Sequence, residues 1–132
     1  MRVIDSSSLA KFFSREEGWD KVKELMIEGV VILDLGIKEV VNTLWKKVLK
    51  NEMSYGIAQT IIKDLTEEKA IPIINQEKFI AQAFALAVNE KITVYDALFI
   101  VAAKELKIEL ITSDRKQMDV ALRNGVKVVF IE

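Results

Sequence analysis

Apolar residues follow two rhythms along this chain. Short unbroken runs occur at Arg2–Ile4, Val30–Leu33, Ile71–Ile74, Leu110–Thr112 and Val128–Ile131. Runs that are apolar at successive positions, rather than alternating, suit parallel strands covered on both faces. Pro72 has no N–H to give a ladder, so the third run is expected at a sheet edge. Between the runs, apolar residues recur every three or four positions, as on one face of a helix. Trp19, Val22, Leu25 and Met26 form one such stripe, and Gly29 ends it. Val40, Val41, Leu44, Trp45, Val48 and Leu49 form another across Ile37–Lys50. Ser54 opens a third, with Ile57, Ile61, Ile62 and Leu65 inward. Gln76–Asn89 is alanine-rich, and Thr93–Leu106 is so apolar that it is expected to be buried on most sides. Asp114–Asn124 is the last helix. Leu9–Phe13 predicts a short helix, and Ser14-Arg-Glu-Glu17 has the form of a capping box for the next.

Strands and helices therefore alternate, which predicts an α/β fold. Its core is a central parallel sheet of about five strands with helices on both faces. Residues 1–132 are expected to form a single domain. In such a sheet the strand C-termini share one edge, and sites form there.

Composition narrows the chemistry more than it narrows the fold. The chain has no Cys and no His. Disulfides, zinc and iron–sulfur sites, and thiol or Ser-His catalysis are excluded. Acid–base or metal chemistry must use Asp, Glu, Lys, Tyr or hydroxyls. A net charge of −1 excludes nucleic-acid binding by bulk positive charge. The N-terminus carries no apolar signal stretch, and no run approaches the ~20 apolar residues of a membrane span. A cytoplasmic location with no membrane association is expected.

Acidic residues recur where strands are expected to end. Asp5 follows the first strand, Asp34 the second and Asp114 the fourth. Glu39 lies one turn into a helix, and Asp96 lies in the first turn of the most apolar one. Each has a plain reading. Asp5 and Asp114 suit N-caps, Asp114-Arg-Lys-Gln117 and Thr93-Val-Tyr-Asp96 resemble capping boxes, and Glu39 favours a helix dipole. Taken together, several carboxylates converge on one sheet edge. Asp96 is expected to be the most buried, because Ala-Leu-Phe-Ile-Val-Ala-Ala follows it. A buried carboxylate is costly unless paired. No Lys or Arg adjoins it, so a divalent cation shared among carboxylates would supply the charge. An all-oxygen set suits Mg²⁺ or Mn²⁺.

Four segments carry a family likeness. Val3-Ile-Asp5-Ser-Ser-Ser-Leu resembles the opening motif of PIN domains. Glu39 in Ile-Lys-Glu-Val-Val-Asn, Asp96 in Tyr-Asp-Ala-Leu-Phe-Ile-Val-Ala-Ala, and Asp114 in Leu-Ile-Thr-Ser-Asp resemble the other three acidic motifs, in order along nearly the whole chain. Among PIN domains, the closest likeness is to the small VapC-type toxins of toxin–antitoxin pairs.

The resemblance implies a PIN-like three-layer sandwich and a metal-dependent endoribonuclease. Asp5, Glu39, Asp96 and Asp114 would be the catalytic acids, holding one or two Mg²⁺ or Mn²⁺ ions. Ser7 and Thr112 match supporting polar positions. It also implies a homodimer formed through helix faces and an antitoxin segment bound in an apolar groove. Some of Phe12, Phe13, Trp19, Val41, Trp45 and Ile61 would then be exposed, whereas a plain globular reading places Trp19, Trp45 and Tyr55 in the core. Lys11, Arg15, Arg115 and Lys116 flank the first and last loops and could contact RNA phosphate. Asp119 reads as a solvated helix residue and Asp34 as a helix or turn cap.

Other readings are a PIN nuclease of RNA processing without an antitoxin, and an inert PIN-like binding module. A haloacid dehalogenase-like phosphatase fails because Ser7 stands where a second Asp is needed. A receiver domain fails at Ile74-Asn75, and the five glycines form no nucleotide-binding loop.

Overall fold

A computed structural model describes residues 1–132. Five parallel strands form one sheet in the order β3-β2-β1-β4-β5. They are β1 (Arg2–Ile4), β2 (Val30–Leu33), β3 (Ile73–Ile74), β4 (Glu109–Thr112) and β5 (Val128–Phe130). The helices are α1 (Ser6–Ser14), α2 (Trp19–Glu28), α3 (Asp34–Leu49), α4 (Tyr55–Thr66), α5 (Ile80–Glu90), α6 (Val94–Leu106) and α7 (Arg115–Arg123). Strand β3 is at the edge, where Pro72 contributes only its carbonyl, accepting from the Ile32 N–H at 3.1 Å.

Two sets of helices cover the sheet. Helix α1 packs against both α2 and α3, and α3 against α4; α5 to α7 form the second set. Right-handed crossovers place the sets on opposite faces, because β1→β2→β3 and β4→β5 step in opposite directions from the centre. The chain thus reverses direction between β1 and β4. The C-terminal ends of these two strands flank the crevice of the topological switch point.

Helix α6 forms the centre of its layer. Its residues Ala97 to Ala103 are all buried, against β1 and β4 on one side and α5 and α7 on others. This matches a helix that is apolar all round. Gly36 fixes the start of α3. A Cβ there would lie 2.6 Å from the Ile32 side chain and 3.2 Å from the Phe99 ring. Without one, the first turn of α3 sits directly on β2 and α6, and Glu39 projects from the next turn.

Three local expectations fail for identifiable reasons. Ser14-Arg-Glu-Glu17 is not a capping box: α1 runs through Ser14 and ends at Arg15, which is left-handed at φ 54°. Helix α2 starts instead at Gly18, whose φ of 93° breaks the chain without a side-chain cap. Helix α3 begins at Asp34, three residues before the expected Ile37. The third change is on the outer faces of α3 and α4. Ile57, expected inward, is 57% exposed, as Trp45 is at 55% and Leu49 at 64%. Their apolar stripes are wider than the sheet and neighbouring helices cover. No helix is long and apolar enough to cross a membrane.

Candidate active site

The site begins where β1 runs out. The Asp5 N–H still pairs with the Ile111 carbonyl of β4 at 3.0 Å, so the sheet itself sets its position. Its side chain then caps α1. Oδ1 accepts from the Ser8 N–H at 3.0 Å and the Ser7 hydroxyl at 2.8 Å. Oδ2 accepts a short hydrogen bond from the Thr112 hydroxyl at the end of β4. Asp5 is 3% exposed. Burial raises its pKa from 3.8 to about 6, against the lowering effect of the Thr112, Ser8 and Ser7 hydrogen bonds.

The β4–α7 loop is stitched to this capping turn. Ser113 donates its N–H to the Ser7 hydroxyl at 3.2 Å, and the Ser8 and Ser113 hydroxyls lie 2.9 Å apart. Thr112 Oγ1 accepts from the Asp114 N–H at 3.0 Å. Asp114 caps α7 through Oδ1, which accepts from the Gln117 N–H at 3.1 Å.

Gln117 is the residue that sequence reasoning misread. Its side chain does not return to the cap. It is 2% exposed, its Oε1 lies 3.0 Å from the Thr112 hydroxyl, and its Nε2 donates to the Asp96 carbonyl at 2.9 Å. Gln117 therefore ties α6 to the end of β4. The Thr112 hydroxyl carries one proton and faces two acceptors, Asp5 Oδ2 and Gln117 Oε1. Both are satisfied at once only when Asp5 itself is protonated.

Glu39 and Asp96 form the more open side. Glu39 is half-buried, and its Oε1 accepts from the Ser6 hydroxyl at 2.9 Å. Its pKa is raised, first by burial and then by the charges of Asp96 and Asp5, with Ser6 opposing. The Asp96 pKa is also raised, first by burial and then by Asp114, with Thr93 and Lys116 opposing. The four acids thus share one electrostatic neighbourhood. None of them makes an ion pair. Asp96 is half-buried, not the most buried of the set. It sits in the first turn of α6, where its N–H bonds Thr93 Oγ1 at 3.1 Å and its side chain reaches the rim. No three of the acids lie close enough to enclose an ion directly.

The candidate cations separate. Lys116 is exposed and close enough to Asp96 to lower its pKa. Arg115 follows Asp114, but its guanidinium lies over the Phe130 ring and 3.7 Å from Glu132. The Lys11 ammonium donates to the Ile131 carbonyl at 3.4 Å. Arg15 is not brought to the acids. It stacks on Trp19, 4.2 Å from the ring centre, at the far end of α1, about 15 Å along the helix from Asp5. Asp119 is exposed and interacts with Arg123. Asp34 Oδ1 accepts from the Leu35 and Gln76 N–H groups, both at 3.1 Å, tying the start of α3 to the loop after β3.

The PIN domain family model matches residues 2–122. The chain belongs to the PIN domain family. This PIN chain is 30% identical over 117 residues to Ribonuclease VapC3 of Pyrobaculum aerophilum, covering 86% of this chain and 89% of that protein. Three solved structures share its fold. PAE2754 from Pyrobaculum aerophilum has a TM-score of 0.75 at 23% identity, over 97% of this chain and 83% of that one. A toxin–antitoxin complex from Klebsiella pneumoniae has a TM-score of 0.65 at 23% identity, over 89% and 90%. FitAcB from Neisseria gonorrhoeae has a TM-score of 0.60 at 15% identity, over 97% and 96%.

The PIN sandwich leaves apolar side chains uncovered away from the acids. Trp45 and Tyr55 are exposed, not core, and so are Ile80, Phe84 and Val88, spaced one turn apart on α5. Phe12, Phe13, Trp19 and Val41 are half-buried, and Ile61 is buried.

Proposed function

We propose that this PIN protein is a divalent-metal-dependent endoribonuclease and the toxin of a VapBC-type toxin–antitoxin pair, acting in the cytoplasm. The nuclease unit is residues 1–132. The observation that carries this reading is the set of Asp5, Glu39, Asp96 and Asp114 at the switch-point edge, in one electrostatic neighbourhood and without an ion pair.

The donor set fits Mg²⁺ or Mn²⁺. All donors are hard oxygens, and Glu39 Oε2 and Asp114 Oδ2 accept no hydrogen bond from the protein. No three of these acids can enclose an ion directly, so an ion held here would keep several waters, as Mg²⁺ usually does. Asp5, Glu39, Asp96 and Asp114 would hold one or two such ions, which supply an acidified water and charge stabilisation for phosphodiester hydrolysis.

The chain's own residues do the rest. Thr112 and Ser7 hold the Asp5 carboxylate in one orientation, so it needs no reorganisation during the reaction. Ser6 does the same for Glu39. Lys116 on the rim attracts the RNA phosphate, with weaker help from Lys11 and Arg115. Arg15 contributes little at its distance. The products are a 5′-phosphate and a 3′-hydroxyl.

The uncovered apolar residues support the partner reading. Phe84 and Val88 on α5, and Trp45 and Leu49 on α3, suit a homodimer face and an antitoxin groove.

The test is cleavage of a mixed single-stranded RNA pool with Mg²⁺ or Mn²⁺, with EDTA, and with Asp96→Asn. Cleavage that requires both the metal and Asp96 is expected. Cleavage that survives EDTA contradicts the metal-dependent reading.

A further inference from the structure

A cavity of about 650 Å³ opens beside the acids, between α1, α3 and the first turn of α6. Ser6, Ser7 and Glu39 line it where it meets the acidic site, and Lys38, Asn42 and Tyr95 line it too. Its size falls in the range of small-molecule sites, about 300–1,000 Å³. We infer that this cavity is a nucleotide subsite: it takes the nucleotide flanking the scissile phosphate, with its base stacked on Tyr95 and its edge read by Asn42. The inference rests on the ribonuclease reading above and adds which residues choose the cleavage position.

Three side chains carry the argument. Tyr95 is 59% exposed and lines the same cavity as Glu39, so an aromatic side chain stands open to solvent beside one of the acids. Base–aromatic stacking is the usual way to hold single-stranded RNA, and every base has a face to stack. Asn42 is exposed, and its amide makes no hydrogen bond within the protein. An amide offers both a donor and an acceptor, as reading a base edge requires. Lys38 is exposed, makes no ion pair and precedes Asn42 by four residues, one helical turn away. It lines the cavity and offers a positive charge to a neighbouring phosphate.

Lys38, Asn42 and Tyr95 matter because the acids cannot discriminate between bases. The Asp and Glu oxygens would hold a cation that meets only phosphate, which is the same at every step of the chain. Base choice must come from groups outside that set, and Asn42 and Tyr95 are such groups within the same cavity.

Two measurements test this. In the first, cut positions on a randomised single-stranded RNA are sequenced for the wild type, Asn42→Ala, Tyr95→Ala and Tyr95→Phe. Asn42→Ala is expected to flatten the base preference at one position beside the cut. Tyr95→Ala should raise KM about tenfold, and Tyr95→Phe should restore it. In the second, the four nucleoside 5′-monophosphates are titrated into ¹⁵N-labelled, metal-free protein. Shifts of the Asn42 side-chain amide and the α3 backbone amides around it are expected. Wild-type cleavage with unchanged base preference in the variants and no shifts at Asn42 overturns the subsite and leaves the nuclease standing. Shifts at Asn42 without any wild-type cleavage uphold nucleotide binding in the cavity but overturn the nuclease and the cleavage role with it.

Discussion

The acids divide into an inner and an outer wall, and the same chemical group behaves differently on each. Asp5 is on the inner wall, placed by the β1–β4 ladder and gripped by Ser7, Ser8 and Thr112. Glu39, Asp96 and Asp114 are on the outer wall, each on a helix turn. The inner carboxylate has its orientation fixed and its pKa raised by burial. The outer carboxylates are less buried, and Glu39 and Asp114 each keep an oxygen free for a cation. The site is thus a buried strand end facing more open helix ends.

Removing an outer acid should affect function far more than stability. Asp96→Asn is expected to lower RNA cleavage by about 10²–10³-fold, because such contacts carry several kcal/mol and about 1.4 kcal/mol is a factor of ten. Metal-free thermal stability should be unchanged or higher, since a carboxylate in a like-charged site is removed. Full activity in this variant would contradict the assignment.

The inner acid should instead show itself in stability. The Asp5 pKa is raised from 3.8 to about 6, so the folded protein binds this proton more tightly than the unfolded chain does. Its contribution is therefore fully present below pH 3.8 and is lost as pH rises through about 6. The loss is at most about 3 kcal/mol, at 1.36 kcal/mol per unit. Denaturant unfolding in EDTA across this range should show the decline, and Asp5→Asn should remove it. Added Mn²⁺ should offset the decline at pH 7.

The link between the walls is Gln117. Gln117→Leu should cost about 1–3 kcal/mol of stability, as lost buried hydrogen bonds do. Chemical shifts in the first turn of α6 should move with it, because Nε2 no longer holds the Asp96 carbonyl. The smallest effect separates the cations. Lys116→Ala should weaken RNA binding by at most about fivefold, as expected of a surface charge, with Arg15→Ala weaker still. Filter binding in low salt would resolve the two.

Much of this molecule was legible before its fold. Unbroken apolar runs announced buried parallel strands, Pro72 announced the edge, and the all-round apolar α6 announced the central helix. Asp5, Glu39, Asp96 and Asp114 could be placed on one edge because the C-terminal ends of parallel strands share a side. The relative depth of the acids was not legible. Asp96 is followed by seven buried residues, yet the first turn of α6 reaches the rim. Asp5 has polar neighbours, Ser6, Ser7 and Ser8, yet lies at the centre of the sheet. Burial follows sheet order, which local pattern does not report. Gln117 was hidden because a capping-box spacing fits it as well as its actual bridge does. Lys38, Asn42 and Tyr95 were hidden because a cavity wall drawn from two helices has no sequence spacing of its own. The width of the stripes on α3 and α4 likewise gave no sign that Trp45 and Ile57 would stay uncovered.

The most direct test of the central claim is calorimetric titration of Mn²⁺ into the wild type and Asp96→Asn at neutral pH, in the absence of RNA. If the inner and outer acids act as one cation site, the wild type binds one or two ions and the variant binds at least about tenfold more weakly. Equal binding by both proteins, or none by the wild type, would contradict it.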